Sequence, residues 1–282
     1  MAKCGVCFRH CDIAEGQIGF CGGRTAKNGR VEAFNYGRVT SLALDPIEKK
    51  PLARFCPGGM ILSVGSFGCN LRCPFCQNYE ISWSDAARGF AETAETITPE
   101  ALTELALKLR RRGNIGIAFT YNEPLIGYEF VRDAAKLAKA EGLKTVIVTN
   151  GTAELAVLDE LRPYIDAMNI DLKGFTDRYY SEVLGGDRRM VMDFIGSAVR
   201  SCHVELTALI VPGENDGEEE MRELAQWVGR LKNPDGEGVP LHVTRFFPRF
   251  HMCDRKATDV KTVYRLAGIA GESVEYVYTG NC

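Results

Sequence analysis

The stretch "MILSVGSFGCNLRCPFCQN", residues 60–78, joins a short apolar run to a loop that carries three cysteines. The run "MILSVGSF" has the length and texture of a buried strand ending in glycines, and Cys69, Cys73 and Cys76 follow it with C-x3-C-x2-C spacing. A dinucleotide-binding G-x-G-x-x-G or a phosphate-binding G-x-x-x-x-G-K would stand at this point of a nucleotide-binding α/β fold. Cysteines occupy the place instead.

Downstream, strand and helix alternate. "IGIAFTYNEP", "KTVIVTNG", "AMNIDLKGF", "HVELTALIVPG" and "PLHVTRFFP" read as further strands, making six with the first. Their near-continuous apolar runs are those of parallel strands covered on both faces. Between them lie amphipathic helices. Thr98-Pro99-Glu100 opens one with an N-cap and an N1 proline, and Leu102, Leu105, Ala106 and Leu109 form its apolar stripe up to Gly113. The period admits an open doubly wound sheet or a curved partial barrel, and both place chemistry at the C-terminal strand ends. Polar residues interrupt the apolar runs there: Asn122 and Glu123, Thr149 and Asn150, Asp171 and Lys173, and His242 with Arg245. They are expected to converge on one rim with the cysteine loop.

Composition narrows the chemistry. The 282 residues are 45% hydrophobic and 25% charged, which suits one large domain with a small appendage. A net charge of -3 attracts neither nucleic acid nor an anionic membrane. No apolar run approaches the ~18 residues of a membrane span, and "MAKCGVCFRHCD" lacks the apolar core of a secretory signal, so a cytoplasmic protein is expected. In a reducing compartment, eleven cysteines gathered in clusters point to metal rather than disulfides. Cys56, Cys202, Cys253 and Cys282 are scattered and read as small buried or inert thiols.

Three thiolates from one loop leave a structural zinc site one ligand short. A [4Fe-4S] cluster held by three cysteines keeps one iron open for an exogenous ligand. With the aromatic Phe75 before its last cysteine, the loop resembles the signature of radical SAM enzymes. The resemblance implies a partial (β/α)6 barrel and S-adenosylmethionine (SAM) on the open iron of a cluster held by Cys69, Cys73 and Cys76. It also implies a reducing electron donor and cleavage of SAM to methionine and a 5'-deoxyadenosyl radical. "TYNEP", "VTNG" and "DLK" resemble segments of glycyl-radical-enzyme activases such as the pyruvate formate-lyase activating enzyme. They imply SAM contacts from Phe75, Asn122, Glu123, Asn150, Asp171 and Lys173, and "LHVTRFFP" adds His242 near the ribose. Val148 stands where activases usually carry an aspartate, so the resemblance does not extend to a cation site built on that residue.

Residues 1–59 are rich in Gly, Cys and Arg, with no sustained helical period, and read as a metal-stapled module. Cys4, Cys7, Cys11 and Cys21 form a complete four-thiolate set, for which zinc and an auxiliary [4Fe-4S] cluster are both adequate. Residues 60–250 are expected to form the barrel and 251–282 a C-terminal extension packed on it. "EGQIGFCGGR", "YGRVTSLALDPIEKKPLARFCPGG" and "EYVYTGN" make the whole similar to AmmeMemoRadiSam-system radical SAM enzymes. That resemblance implies Memo-like and AMMECR1-like partners, whereas the activase resemblance implies a glycyl radical enzyme. Modification of a small molecule or peptide is the alternative within enzymology. A non-catalytic iron-sulfur or zinc protein is the rival of another class, and it leaves the polar strand ends unexplained.

Overall fold

The computed structural model describes residues 1–282, Arg88 and Ala91 apart. Its centre is an eight-stranded sheet: β1 (Ser41–Pro46), β2 (Met60–Gly65), β3 (Asn114–Phe119), β4 (Lys144–Thr149), β5 (Ala167–Asp171), β6 (His203–Ile210), β7 (Leu241–Arg245) and β8 (Val277–Gly280). Each strand pairs with its neighbours in chain order; β1 runs antiparallel to β2 and all other pairs are parallel. A doubly wound sheet would reverse its strand order at a switch point. This order never reverses, and the curved partial barrel is the architecture it builds. The six strands read from the sequence are β2–β7; the sheet also reaches back to Ser41 and on to Gly280.

Helices wrap the outside, and most neighbours in sequence pack on one another. They include α1 (Pro99–Lys108), α2 (Tyr128–Ala140), α3 (Leu155–Leu161), α4 (Arg188–Ala198), α5 (Glu218–Val228) and α6 (Val260–Ala270). The Thr98 hydroxyl caps α1 by accepting from Ala101 N at 3.2 Å, and Gly113 ends the turn that follows with φ +83°. Strand alternation divides the apolar residues between two cores. Leu62, Ile117, Ile147 and Met168 pack beneath the helices, while Ile61, Ala118, Val146 and Ala167 face inward and meet Ile47 and Leu52. The segment after β1 therefore plugs the barrel from inside. Burial of each such Leu or Ile side chain stabilises the fold by about 1.5–3 kcal/mol.

The N-terminal residues form short antiparallel pairs, Ala2–Lys3 with Asp12–Ile13 and Arg24–Lys27 with Arg30–Ala33. No helix among the described residues is long and apolar enough to cross a membrane.

Candidate active site

A cleft of about 780 Å³ opens at the C-terminal strand ends and runs into the barrel. Cys69, Cys73 and Cys76 line it. Their loop can take its path because Gly68 adopts φ +93°, and a Cβ there would lie 2.6 Å from the Cys21 carbonyl oxygen. The Cys69 sulfur accepts from Leu71 N at 3.4 Å and from Asn150 Nδ2 at 3.7 Å, and the Cys76 sulfur is paired with the Ser82 side chain. Burial pushes the Cys73 thiol up to about 12 and the other two upward. Three thiols lining one cleft, two of them already hydrogen-bonded, fit a cluster that would take them as thiolates and leave an iron open to a further ligand.

Asn122, Glu123, Thr149, Asn150, Asp171, Lys173 and His242 converge as expected on the same cleft, but they do different things; Arg245 does not line it and instead donates from Nε to the Thr258 carbonyl at 2.7 Å. Lys173 Nζ lies 2.7 Å from Asp171 Oδ2. Burial works against the ammonium, yet Asp171 and Cys73 outweigh it and hold Lys173 charged, well above its ordinary value. The Lys173 backbone is fixed by Tyr180, whose hydroxyl accepts from its N–H at 3.0 Å, and by Asn215 Nδ2, which donates to its carbonyl at 2.6 Å. Glu123 is buried; its carboxylate accepts from Leu125 N, the Thr149 hydroxyl and Asn150 N at 3.0, 2.6 and 2.8 Å. Burial nevertheless raises its pKa to about 7. Asn122 accepts from Ser66 N at 3.0 Å and donates to the Phe67 and Gly68 carbonyls, so its amide positions the approach to the cysteine loop. Phe75 is buried on the cleft wall, edge-on to Phe246.

His242 also lines the cleft, with Nε2 2.7 Å from a Glu205 oxygen and its ring stacked on Tyr278. Glu205 went unnoticed in the sequence, although a lone carboxylate inside an apolar run demands partners. It has four: the imidazoles of His242 and His203 and the N–H groups of Ala53 and Arg54 on the plug. Tyr121 was missed as well. It holds φ +73° at the cleft wall while its hydroxyl donates to Asp45, which also receives the buried Lys50 ammonium at 2.9 Å. Over the cysteine loop, His251 N donates to the Pro74 carbonyl, and Phe250 stacks on Tyr79 with Trp83 edge-on.

The four N-terminal cysteines come together at a separate small cavity that Arg9 and Arg24 also line. Cys4, Cys7 and Cys21 are buried, and none of the four is in a disulfide.

The sequence pattern of the radical SAM superfamily matches residues 63–227. An uncharacterised protein of Methanocaldococcus jannaschii, MJ0808, is 38% identical over 282 residues, 99% of this chain and 81% of that protein. The pyruvate formate-lyase-activating enzyme of Clostridium pasteurianum is 30% identical over 181 residues, 62% of this chain and 72% of the enzyme. Among solved structures, Streptococcus suis SuiB superposes with a TM-score of 0.58 at 14% identity, over 79% of this chain and 51% of SuiB, a likeness of fold alone. The cysteine loop after the first parallel strand, the cleft it lines and these similarities lead to one assignment: the chain belongs to the radical SAM superfamily and is an enzyme of that class.

Proposed function

We propose that the protein cleaves SAM reductively and uses the resulting 5'-deoxyadenosyl radical to take hydrogen from a glycine Cα of a partner protein, as an activase. The observation that carries the reading is the single cleft that brings Cys69, Cys73 and Cys76 together with Asn150, Asp171 and Lys173. The similarity to a pyruvate formate-lyase-activating enzyme supports it. When bound, the [4Fe-4S] cluster supplies the electron that breaks the sulfonium C–S bond.

The chain's own residues bind and orient. Lys173 presents a fixed cation to the SAM carboxylate, and Asp171 supplies an acceptor beside it. Asn150, held by Glu123 through its backbone and by Asn70 through its side chain, fixes the edge of the cleft next to Cys69. His242, oriented by Glu205, offers its ring to the ribose. Glu48 and Lys49 on the plug, Tyr278–Gly280 on β8 and Asn281 after it also line the cleft. Between the plug and β8 an extended segment of a partner chain can enter.

The N-terminal thiols hold a second metal centre in this reading, and the resemblance across that region adds Memo-like and AMMECR1-like proteins as partners. Anaerobic reconstitution, reduction and addition of SAM should yield 5'-deoxyadenosine, measured by chromatography, and the Cys73→Ala variant should yield none. No product from a loaded, reduced native chain, with a cluster signal insensitive to SAM, would overturn it.

A further inference from the structure

The N-terminal cysteines and the catalytic loop are joined by direct contacts. Cys69 N donates to the Cys21 carbonyl at 2.9 Å. Arg72 spans the same junction, donating to the Phe20 carbonyl at 2.6 Å and the Cys69 carbonyl at 2.8 Å. A second route runs through Asn70. Its side chain meets the Cys7 thiol and accepts from Asn150 Nδ2 at 3.0 Å, and the same Asn150 group reaches the Cys69 sulfur. Arg9 closes the arrangement by donating to the Asn70 carbonyl at 2.8 Å, within electrostatic reach of Cys7, Cys11, Cys21 and Cys69 alike.

We propose that Cys4, Cys7, Cys11 and Cys21 hold an auxiliary [4Fe-4S] cluster, and that this centre is the port through which the electron reaches the catalytic cluster. The inference rests on the radical SAM reading of the catalytic loop. Three observations favour a cluster over zinc. Zinc draws four sulfurs to ~2.3 Å from one ion, and no three His, Cys, Asp or Glu side chains among the described residues gather closely enough to hold a single ion. The same is true of the catalytic trio, and thiolates that do not converge on one point suit a cluster in which each binds a different iron. Arg24, lining the cavity, leaves its buried Nε without a hydrogen-bond partner, and an inorganic sulfide, an acceptor that a cluster brings and zinc does not, would satisfy it. Finally, a knuckle that merely stapled its own module would not require two routes to the loop it abuts.

The redox balance is simple. One electron leaves a low-potential reduced flavoprotein or iron-sulfur protein, which is oxidised by one electron. It passes through the N-terminal centre to the catalytic cluster and on to the sulfonium. The N-terminal centre returns to its starting oxidation state.

Metal analysis and electron paramagnetic resonance of the full chain test this. The native protein should carry about eight irons and no stoichiometric zinc, falling to about four in a Cys4→Ser/Cys11→Ser variant. Full reduction should give a spectrum broadened by interaction between two centres in the native chain. The variant should lose that broadening and keep a simple signal that still responds to SAM. Its catalytic cluster should be reduced more slowly by the protein donor. One zinc beside four irons, or two signals that simply add, overturns the proposal. So does a variant reduced at the native rate. Should the variant not fold, the native metal content and broadening decide alone. A native signal that ignores SAM would instead count against the radical SAM reading, so the two failures are distinguishable.

Discussion

His242 Nε2 and Glu205 Oε2 lie 2.7 Å apart in the barrel interior, and the Glu205 side chain has no solvent exposure. Burial alone would raise the carboxyl, but two imidazoles and two plug amides outweigh it and bring it from 4.5 down to about 2. A depressed carboxyl stabilises the fold above its unfolded pKa, and that contribution fades as pH falls from about 4.5 through about 2. Glu205→Gln should therefore cost about 3 kcal/mol at neutral pH. The deficit should shrink on acidification, as read from denaturant melts along a pH series. Equal losses at all pH values would show that the charge is not what holds the plug.

Lys173→Met removes the cation beside Asp171 and leaves that carboxylate facing the cleft alone. SAM binding should weaken by at least about tenfold, the loss of one charge-assisted hydrogen bond of about 1.5–3 kcal/mol. Equilibrium dialysis of the reconstituted enzyme measures it. The cysteine loop should still load iron, since none of its thiols is altered. Unchanged SAM affinity would remove Lys173 from the binding site.

Gly68→Ala places a methyl against the Cys21 carbonyl at a φ that L-residues avoid. The junction of the two cysteine sets must open. Iron loading should become substoichiometric, and the melting temperature should fall. Gly217, whose Cβ would meet nothing within 4 Å, is the control, and Gly217→Ala should load normally.

Burial pushes the Cys21 and Cys73 thiols up to about 12 in the metal-free chain. Iron must then displace protons to bind, so cluster assembly should be faster at about pH 8.5 than at about pH 6.5. Visible absorbance during reconstitution follows the rate. A pH-independent rate would mean that deprotonation does not limit assembly.

What could be read from the sequence follows burial. Strands β2–β7 were legible because a parallel strand covered on both faces leaves an apolar run. The edge strands "SLALDP" and "VYTG" are half-exposed and carry no such run. Which side of the sheet each helix covers is settled by tertiary packing, so the choice between barrel and open sheet waited for the strand order. The convergence of Cys69, Asn150, Asp171 and Lys173 was legible because strand ends share a rim. Asn70, Arg9, Arg72 and Tyr121 were not, because their roles depend on contacts such as Arg9 with Gly185, 176 residues apart.

The order of strands across the sheet is the order in which the ribosome makes them. Each parallel strand emerges to find its neighbour already in place, so the sheet can grow vectorially, without holding a partnerless strand open to aggregation. The N-terminal thiols and the catalytic loop are both synthesised before β3. The wall at Tyr278–Asn281 comes after β7. During synthesis, the cleft lined by the cysteine loop thus stays open on its β8 side until the chain has passed residue 280, and β8 is the last strand to close it.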